Sequence, residues 1–181
     1  MAKRDKREWK TRTFDSISPT DIDWAMMAAF IDGEGSILIN PRRHDKRHLT
    51  DASGFYLRVT VANTDVRLMA WCVAKFGGRY KDANTQKYYA GRNAKTAYHW
   101  GCASNRAAWI LYNCLPYFVM KTEQAEIGIA LQESLCAGHH GIRLPEKTVS
   151  ERRELKRRLL VLKARGLVIQ PEQKARIEEV S

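Results

Sequence analysis

Long apolar runs are the first thing this sequence lacks: none approaches the ~20 residues that a membrane-spanning helix needs. Cysteine is scarce too. There are 4 in 181 residues, at positions 72, 102, 114 and 136, and no CxxC pair among them. That spacing excludes a zinc ribbon and a disulfide framework, and it fits reduced thiols in an intracellular compartment, the cytoplasm or an organelle matrix. Cys136, His139 and His140 form one cluster with no second ligand pair, short of the pattern that zinc demands. The charged stretch from Met1 to Arg12 has no apolar segment behind it, so secretion is not expected. Asp5 and Glu8 within it run against a mitochondrial presequence. No repeat recurs at a fixed period. The scarce charge is the negative one. Asp and Glu number 20 against 31 Lys and Arg, a formal net charge of +11. A chain this basic attracts polyanions, with nucleic acid the first candidate, although charge alone does not separate a nucleic-acid binder from a basic soluble protein.

What is present describes a globular chain, 44% hydrophobic and long enough for one domain plus tails. Residues 1–18 read as a basic, mobile arm, with six of the first twelve being Lys or Arg. Ser18-Pro19-Thr20-Asp21 offers helix-start chemistry. A helix then runs through Ile22, Trp24 and Met27 to Ile31. It is apolar nearly all round, which predicts burial on more than one side, and Gly33 and Gly35 end it. Ser36 to Asn40 is a short β run. After a basic loop, Phe55 to Asn63 alternates Phe55, Leu57, Val59 and Val61 against Tyr56, Arg58 and Thr60, the pattern of a sheet with one wet face. Thr64 or Asp65 caps a second helix, Val66 to Phe76, which stops at Gly77-Gly78. Two more strands, Arg79 to Lys81 and Thr96 to Ala103, precede helices near Asn105 to Cys114 and Lys121 to Leu135, parted at Pro116. The core spans 19–136. The remainder, 137–181, is a loop and a helical extension in which Thr148 to Lys163 spaces Val149, Leu155, Leu159, Leu160 and Leu162 against Arg152, Arg153, Lys156, Arg157 and Arg158. That helix is either a solvated amphipathic helix packed on the core or an extra source of phosphate contacts.

The most informative stretch is Met27-Ala28-Ala29-Phe30-Ile31-Asp32-Gly33-Glu34-Gly35, followed by Ser36-Ile37. It resembles, without a gap, the nine-residue signature of the LAGLIDADG homing endonucleases. The element order agrees with that family's α+β core, αββαββα, in which a saddle-shaped antiparallel sheet carries the DNA. Asn63-Thr64-Asp65 before a helix ending in Phe76-Gly77-Gly78, and Leu115-Pro116-Tyr117-Phe118 before Lys121 and Gln124-Ala125, are also similar to the family. The likeness covers roughly Thr20 to Leu135 and leaves the arm and the tail unexplained.

The resemblance implies a site-specific double-strand DNA endonuclease dependent on Mg²⁺. Glu34 would be the metal ligand. A hard divalent ion wants carboxylate, phosphate and water oxygens, and the flanking glycines free the backbone to present that side chain. Phosphodiester hydrolysis with both oxygens stabilised takes more than one acid, and the chain has a single signature. A homodimer with a long, roughly palindromic target follows. Ala25, Ala28 and Ala29 are small enough for close helix contact, although alanine is also simply a good helix former. Asp32, the motif's first acid, would bond backbone at that helix interface, and a capping role is preferred for it over metal ligation. By position, Asn63 implies ordering of water near the scissile phosphate, and Arg67 and Lys121 imply cations lining the pocket. A helix cap and solvated charges are their plainer readings. Alternation puts Asn40, Arg42 and His44 with Tyr56, Arg58 and Thr60 on the wet sheet face. Lys81 and Lys87 would join it, and this surface would read base edges. An RNA-binding maturase and a non-cleaving DNA-binding regulator on the same scaffold remain as alternatives, and DNA cleavage with and without Mg²⁺ separates them.

Overall fold

The first long helix begins where its backbone donors are met. Thr20 precedes α1 (Asp21–Glu34), and its hydroxyl accepts from the Asp23 N–H at 3.3 Å. The Asp23 carboxylate in turn accepts from the Thr20 N–H and hydroxyl, both at 2.9 Å. This reciprocal box satisfies orphan donors at the helix start. A computed structural model describes residues 8–10, 14, 17–41, 54–82, 95–136 and 145–165 of the chain. In it α1 buries Trp24, Met27, Ala28 and Ile31 and leaves Ile22, Met26 and Ala29 exposed. Within this chain the helix is therefore covered on one side, whereas its composition predicts cover on more than one.

β1 (Gly35–Pro41) starts on the residue after α1. It pairs antiparallel with β2 (Phe55–Asn63), which pairs with β4 (Tyr98–Ala103), which pairs with β3 (Arg79–Asp82), giving the sheet order β1-β2-β4-β3. Ile37, Ile39, Phe55, Leu57, Val59, Val61, Trp100 and Cys102 form its buried face. That face packs under α1, α3 (Ser104–Cys114) and α4 (Thr122–Cys136), with α2 (Val66–Phe76) against β4. Asp65 caps α2 by accepting the Arg67 N–H at 2.9 Å. Gly77 and Gly78 end it with φ of 66° and 79°, the left-handed region that only glycine enters at little cost. Trp100 Nε1 seals the turn by donating to the Gly77 carbonyl at 2.8 Å.

The N-terminal flank differs from its sequence-based expectation, and the C-terminal helix differs in which residues its two faces hold. Part of the arm is docked. Trp9, in a 3-10 turn at Glu8–Lys10, is only 1% exposed and packs edge-on to Tyr112 of α3. Lys10 bridges to Glu133 at 2.7 Å, and Phe14 packs against Trp109 with the two rings tilted by 54°. At the other end, α5 (Glu146–Arg165) packs on α4 through Val149 and Leu159. Arg152 does not belong to its solvated basic face. It is 2% exposed and donates to the Ser134 hydroxyl at 2.9 Å and the Ser134 carbonyl at 2.6 Å. Leu160, counted with the apolar stripe, is 57% exposed. Cys72, Cys102 and Cys114 are buried free thiols, pushed up to about 12 at Cys72 and Cys102 by that burial.

Candidate active site and nucleic-acid interface

Glu34 is the last residue of α1 and is exposed. Asn63, the last residue of β2, donates its Nδ2 to Glu34 Oε2 at 2.9 Å. The amide cannot turn over without loss, because its Oδ1 accepts the Asp65 N–H at 2.9 Å. Asp65 then grips Arg67. Its two carboxylate oxygens take the Arg67 Nε and Nη2 protons, a bidentate pair at 3.0–3.1 Å through Nε. The Arg67 pairing, first through its side chain and then its backbone N–H, holds the Asp65 carboxyl down at about 2. Three of the four predicted catalytic residues thus lie on one hydrogen-bonded chain, Glu34–Asn63–Asp65–Arg67. Asp65 is the link that sequence reasoning saw only as a helix cap. The Arg67 guanidinium itself is almost fully exposed.

The fourth predicted residue is used differently. Lys121 Nζ donates to the carbonyls of Ile31 at 2.6 Å, Asp32 at 2.7 Å and Gly35 at 3.0 Å. An ammonium has three donors, and all three close the end of α1. Burial lowers the Lys121 pKa, and Asp32 works against that shift. Asp32 returns the arrangement. Its carboxylate accepts the N–H groups of Val119 at 2.7 Å, Met120 at 3.2 Å and Lys121 at 2.9 Å, just ahead of α4. Asp32 is therefore a cap, as preferred over ligation, and the N–H groups it caps are those ahead of α4 in its own chain. Ala28, expected at a dimer contact, has no exposed surface in this chain and packs into its own core. The free line along α1 is Ile22, Met26, Ala29 and Gly33, with Ala25 half-buried. Gly33 does not end the helix, and a Cβ there meets nothing within 4 Å. Gly35 matters for space, since a Cβ on it would come within 2.6 Å of Ile31 Cα.

The outer sheet face follows from the register. Ser36 sits opposite Thr60, Leu38 opposite Arg58 and Asn40 opposite Tyr56. Gly101 lies opposite Thr60 on the other side, and Arg79 opposite Gly101, with Lys81 opposite His99. Asn40, Tyr56, Arg58, Thr60 and Lys81 thus share one face, as the alternation predicts. Arg42, His44 and Lys87 lie outside the described residues. Arg79 and His99 join the face unanticipated. Arg79 was legible, two residues from Lys81 on one strand, but placing His99 needed the β3–β4 register. Tyr56, Arg58, Arg79, Lys81 and His99 line a groove of about 880 Å³.

The donor set around Glu34 suits a hard cation. The Glu34 carboxylate supplies the kind of oxygen ligand such an ion prefers, and its Oε1 takes no hydrogen bond among the described residues. No group of three or more His, Cys, Asp or Glu side chains gathers among the described residues.

No sequence-family profile and no curated protein sequence matches this chain. Solved structures do. I-Vdi141I, an archaeal intron-encoded homing endonuclease complexed with DNA, superposes with a TM-score of 0.61 at 15% identity, over 78% of this chain and 84% of that one. I-CvuI, a homing endonuclease in complex with its target in the presence of Ca, gives 0.57 at 16% identity, over 78% and 82%. I-SmaMI, a meganuclease bound to uncleaveable DNA, gives 0.56 at 15% identity, over 74% of this chain but only 43% of that one. This chain thus spans less than half the length of I-SmaMI.

Proposed function

We propose that this chain, which has the fold of the LAGLIDADG homing endonucleases, is a site-specific, divalent-metal-dependent double-strand DNA endonuclease working as two identical copies. The observation that carries the reading is the Glu34–Asn63 pair at the rim of a basic sheet face. An exposed carboxylate, aimed by a neighbour that cannot rotate freely, stands where a duplex lying on that face would bring its phosphates.

A bound Mg²⁺ would supply Lewis-acid polarisation of the phosphate and a more acidic water. Glu34 would hold it, and the chain's other residues do the positioning. Asn63 fixes which way the carboxylate points. Asp65 keeps Arg67 extended toward solvent, where its charge meets the DNA backbone. Lys121 and Asp32 clamp the end of α1, so Glu34 sits at a fixed height above the sheet. Arg58 and Asn40 have the donor geometry for guanine and adenine edges. One carboxylate per chain calls for a second chain, and the exposed line Ile22, Met26, Ala29 and Gly33 is narrow and apolar enough to receive a copy of itself. A two-fold protein presents the same reading surface twice, which gives a roughly palindromic target.

The test is cleavage of a supercoiled plasmid library of candidate sites with and without Mg²⁺, using wild type and Glu34→Gln. Wild type is expected to cut a specific site only with metal, while Glu34→Gln binds that site and does not cut, because an amide is a poor Mg²⁺ ligand. Cutting by Glu34→Gln at the wild-type rate overturns the assignment. Specific RNA binding without DNA cleavage by the wild type favours a maturase instead.

A further inference from the structure

Helix α5 packs back along α4, which brings its last turn toward the Lys121 end of that helix. Its first half is fixed at the far end of α4 by Arg152 on Ser134. Lys156 stands 5.5 Å from the centre of the Phe55 ring, which pairs with Pro41 at the end of β1 remote from Glu34. From Arg152, about three turns at about 5.4 Å each reach Lys163. A similar length of α4 leads from Ser134 back to Lys121. The two lysines come within electrostatic reach of one another. Burial lowers the Lys163 pKa, and the Lys121 charge lowers it further.

Lys163 is half-buried, and among the described residues it makes no hydrogen bond or ion pair. Lys121 cannot relieve it, being a cation itself with all three donors on α1 carbonyls. Asp32 is committed to the α4 N–H groups. A partly desolvated cation beside a like charge is unfavourable unless an anion joins it. Two ammonium groups within electrostatic reach of one another, one of them bonded to the α1–β1 junction, therefore suit an incoming phosphate.

We infer that Lys163 is a phosphate-binding residue that, next to Lys121, takes a DNA backbone phosphate from the strand lying at Glu34. Lys163 thus supplies the cation, uncommitted among the described residues, that Lys121, locked onto α1, does not. The inference rests on the endonuclease reading for its substrate.

The full-length chain is compared with Lys163→Met, Lys163→Gln and Lys163→Arg, with the exposed Lys147→Met as a charge-matched control. Duplex binding is measured without divalent metal over a KCl series, and inorganic phosphate is tested separately by thermal shift at constant ionic strength. Removing the charge at Lys163 is expected to make the slope of log affinity against log salt shallower by about 0.9 per chain. Lys163→Arg should restore it, and Lys147→Met should not reproduce the loss. An unchanged slope in both Met and Gln variants overturns the inference, and so does an equal loss in the control. Stabilisation by inorganic phosphate that depends on Lys163, with no change in DNA slope, assigns the site to a free anion and overturns the DNA part. A wild type that binds DNA but never cuts it overturns the endonuclease reading and not the phosphate contact.

Discussion

Glu34 was legible in the sequence because two glycines flank it in a pattern of known form. Its neighbours were less so. Asn63 is 29 residues away in the chain, and its reach to Glu34 depends on how β2 pairs with β1. Asp65 looked like an ordinary cap because its second task, gripping Arg67, uses a residue on the same turn. Removing the Asn63 amide should leave Glu34 free to rotate. Asn63→Ala is expected to lower the metal-dependent single-turnover rate on the order of 10–100-fold, as loss of a ligand's supporting hydrogen bond typically does, with DNA affinity nearly unchanged. An unaltered rate would remove Asn63 from the site. Gly35 makes a sterically sharper case. Its φ of −93° suits any residue, yet a Cβ would run into Ile31 backbone at 2.6 Å. Gly35→Ala should destabilise the fold by about 1–3 kcal/mol through overpacking, read by chemical denaturation, and should disturb Glu34 more than any exposed substitution. A wild-type denaturation midpoint would show that the junction can yield.

Strands and helices were read from periodicity with little error, because β2 alternates cleanly and Pro116, Gly77 and Gly78 punctuate the rest. Arg152 was misplaced for a physical reason. A long cation was assigned to water by type, although its spacing from Val149, Leu155 and Leu159 puts it in the buried stripe. The α1 start was legible as the segment Ser18 to Asp21, within which the structure makes Thr20 the cap. Thr20→Ala should cost about 1 kcal/mol, the usual loss for an N-cap hydroxyl, seen as a lower denaturant midpoint. Its partner makes a pH prediction. The Thr20 backbone N–H first, then the Thr20 hydroxyl and Lys75, hold the Asp23 carboxyl below its usual value against the opposing effect of burial. A lowered folded-state pKa means that the charged form stabilises the fold. That stabilisation is complete above the ordinary Asp value near 3.8 and is lost as pH falls through the lowered one. Asp23→Asn should therefore flatten the acid limb of the stability curve and lower the plateau at neutral pH. An acid limb as steep as the wild type's would place the linkage elsewhere.

At the scale of the whole molecule, the class of fold could be read from element order, but assembly could not. Alanines along α1 look alike in sequence, and only packing shows that Ala28 faces the core while Ala29 faces outward. The two positions should consequently fail differently. Ala29→Trp is expected to stay folded and to sediment as a monomer that no longer cuts both strands, whereas Ala28→Trp should unfold or aggregate from overpacking. A dimeric, active Ala29→Trp would move the interface away from this face. The net charge of +11 predicts steeply salt-dependent DNA binding. The share of the arm in that binding has to be tested with a truncation that stops short of Trp9, since removing Trp9 also removes core.

The direct passage from Glu34 into Gly35, with no residue between helix and sheet, works like a fixed gear. Adding or deleting one residue in α1 would turn the carboxylate by about 100° around the helix axis. The same step would exchange the two faces of β1 along its whole length, sending Ile37 and Ile39 to the outside. No loop exists there to absorb the slip. Divergence among relatives sharing this junction should therefore proceed by substitution, with length changes kept out of the helix that sets the angle of the acid.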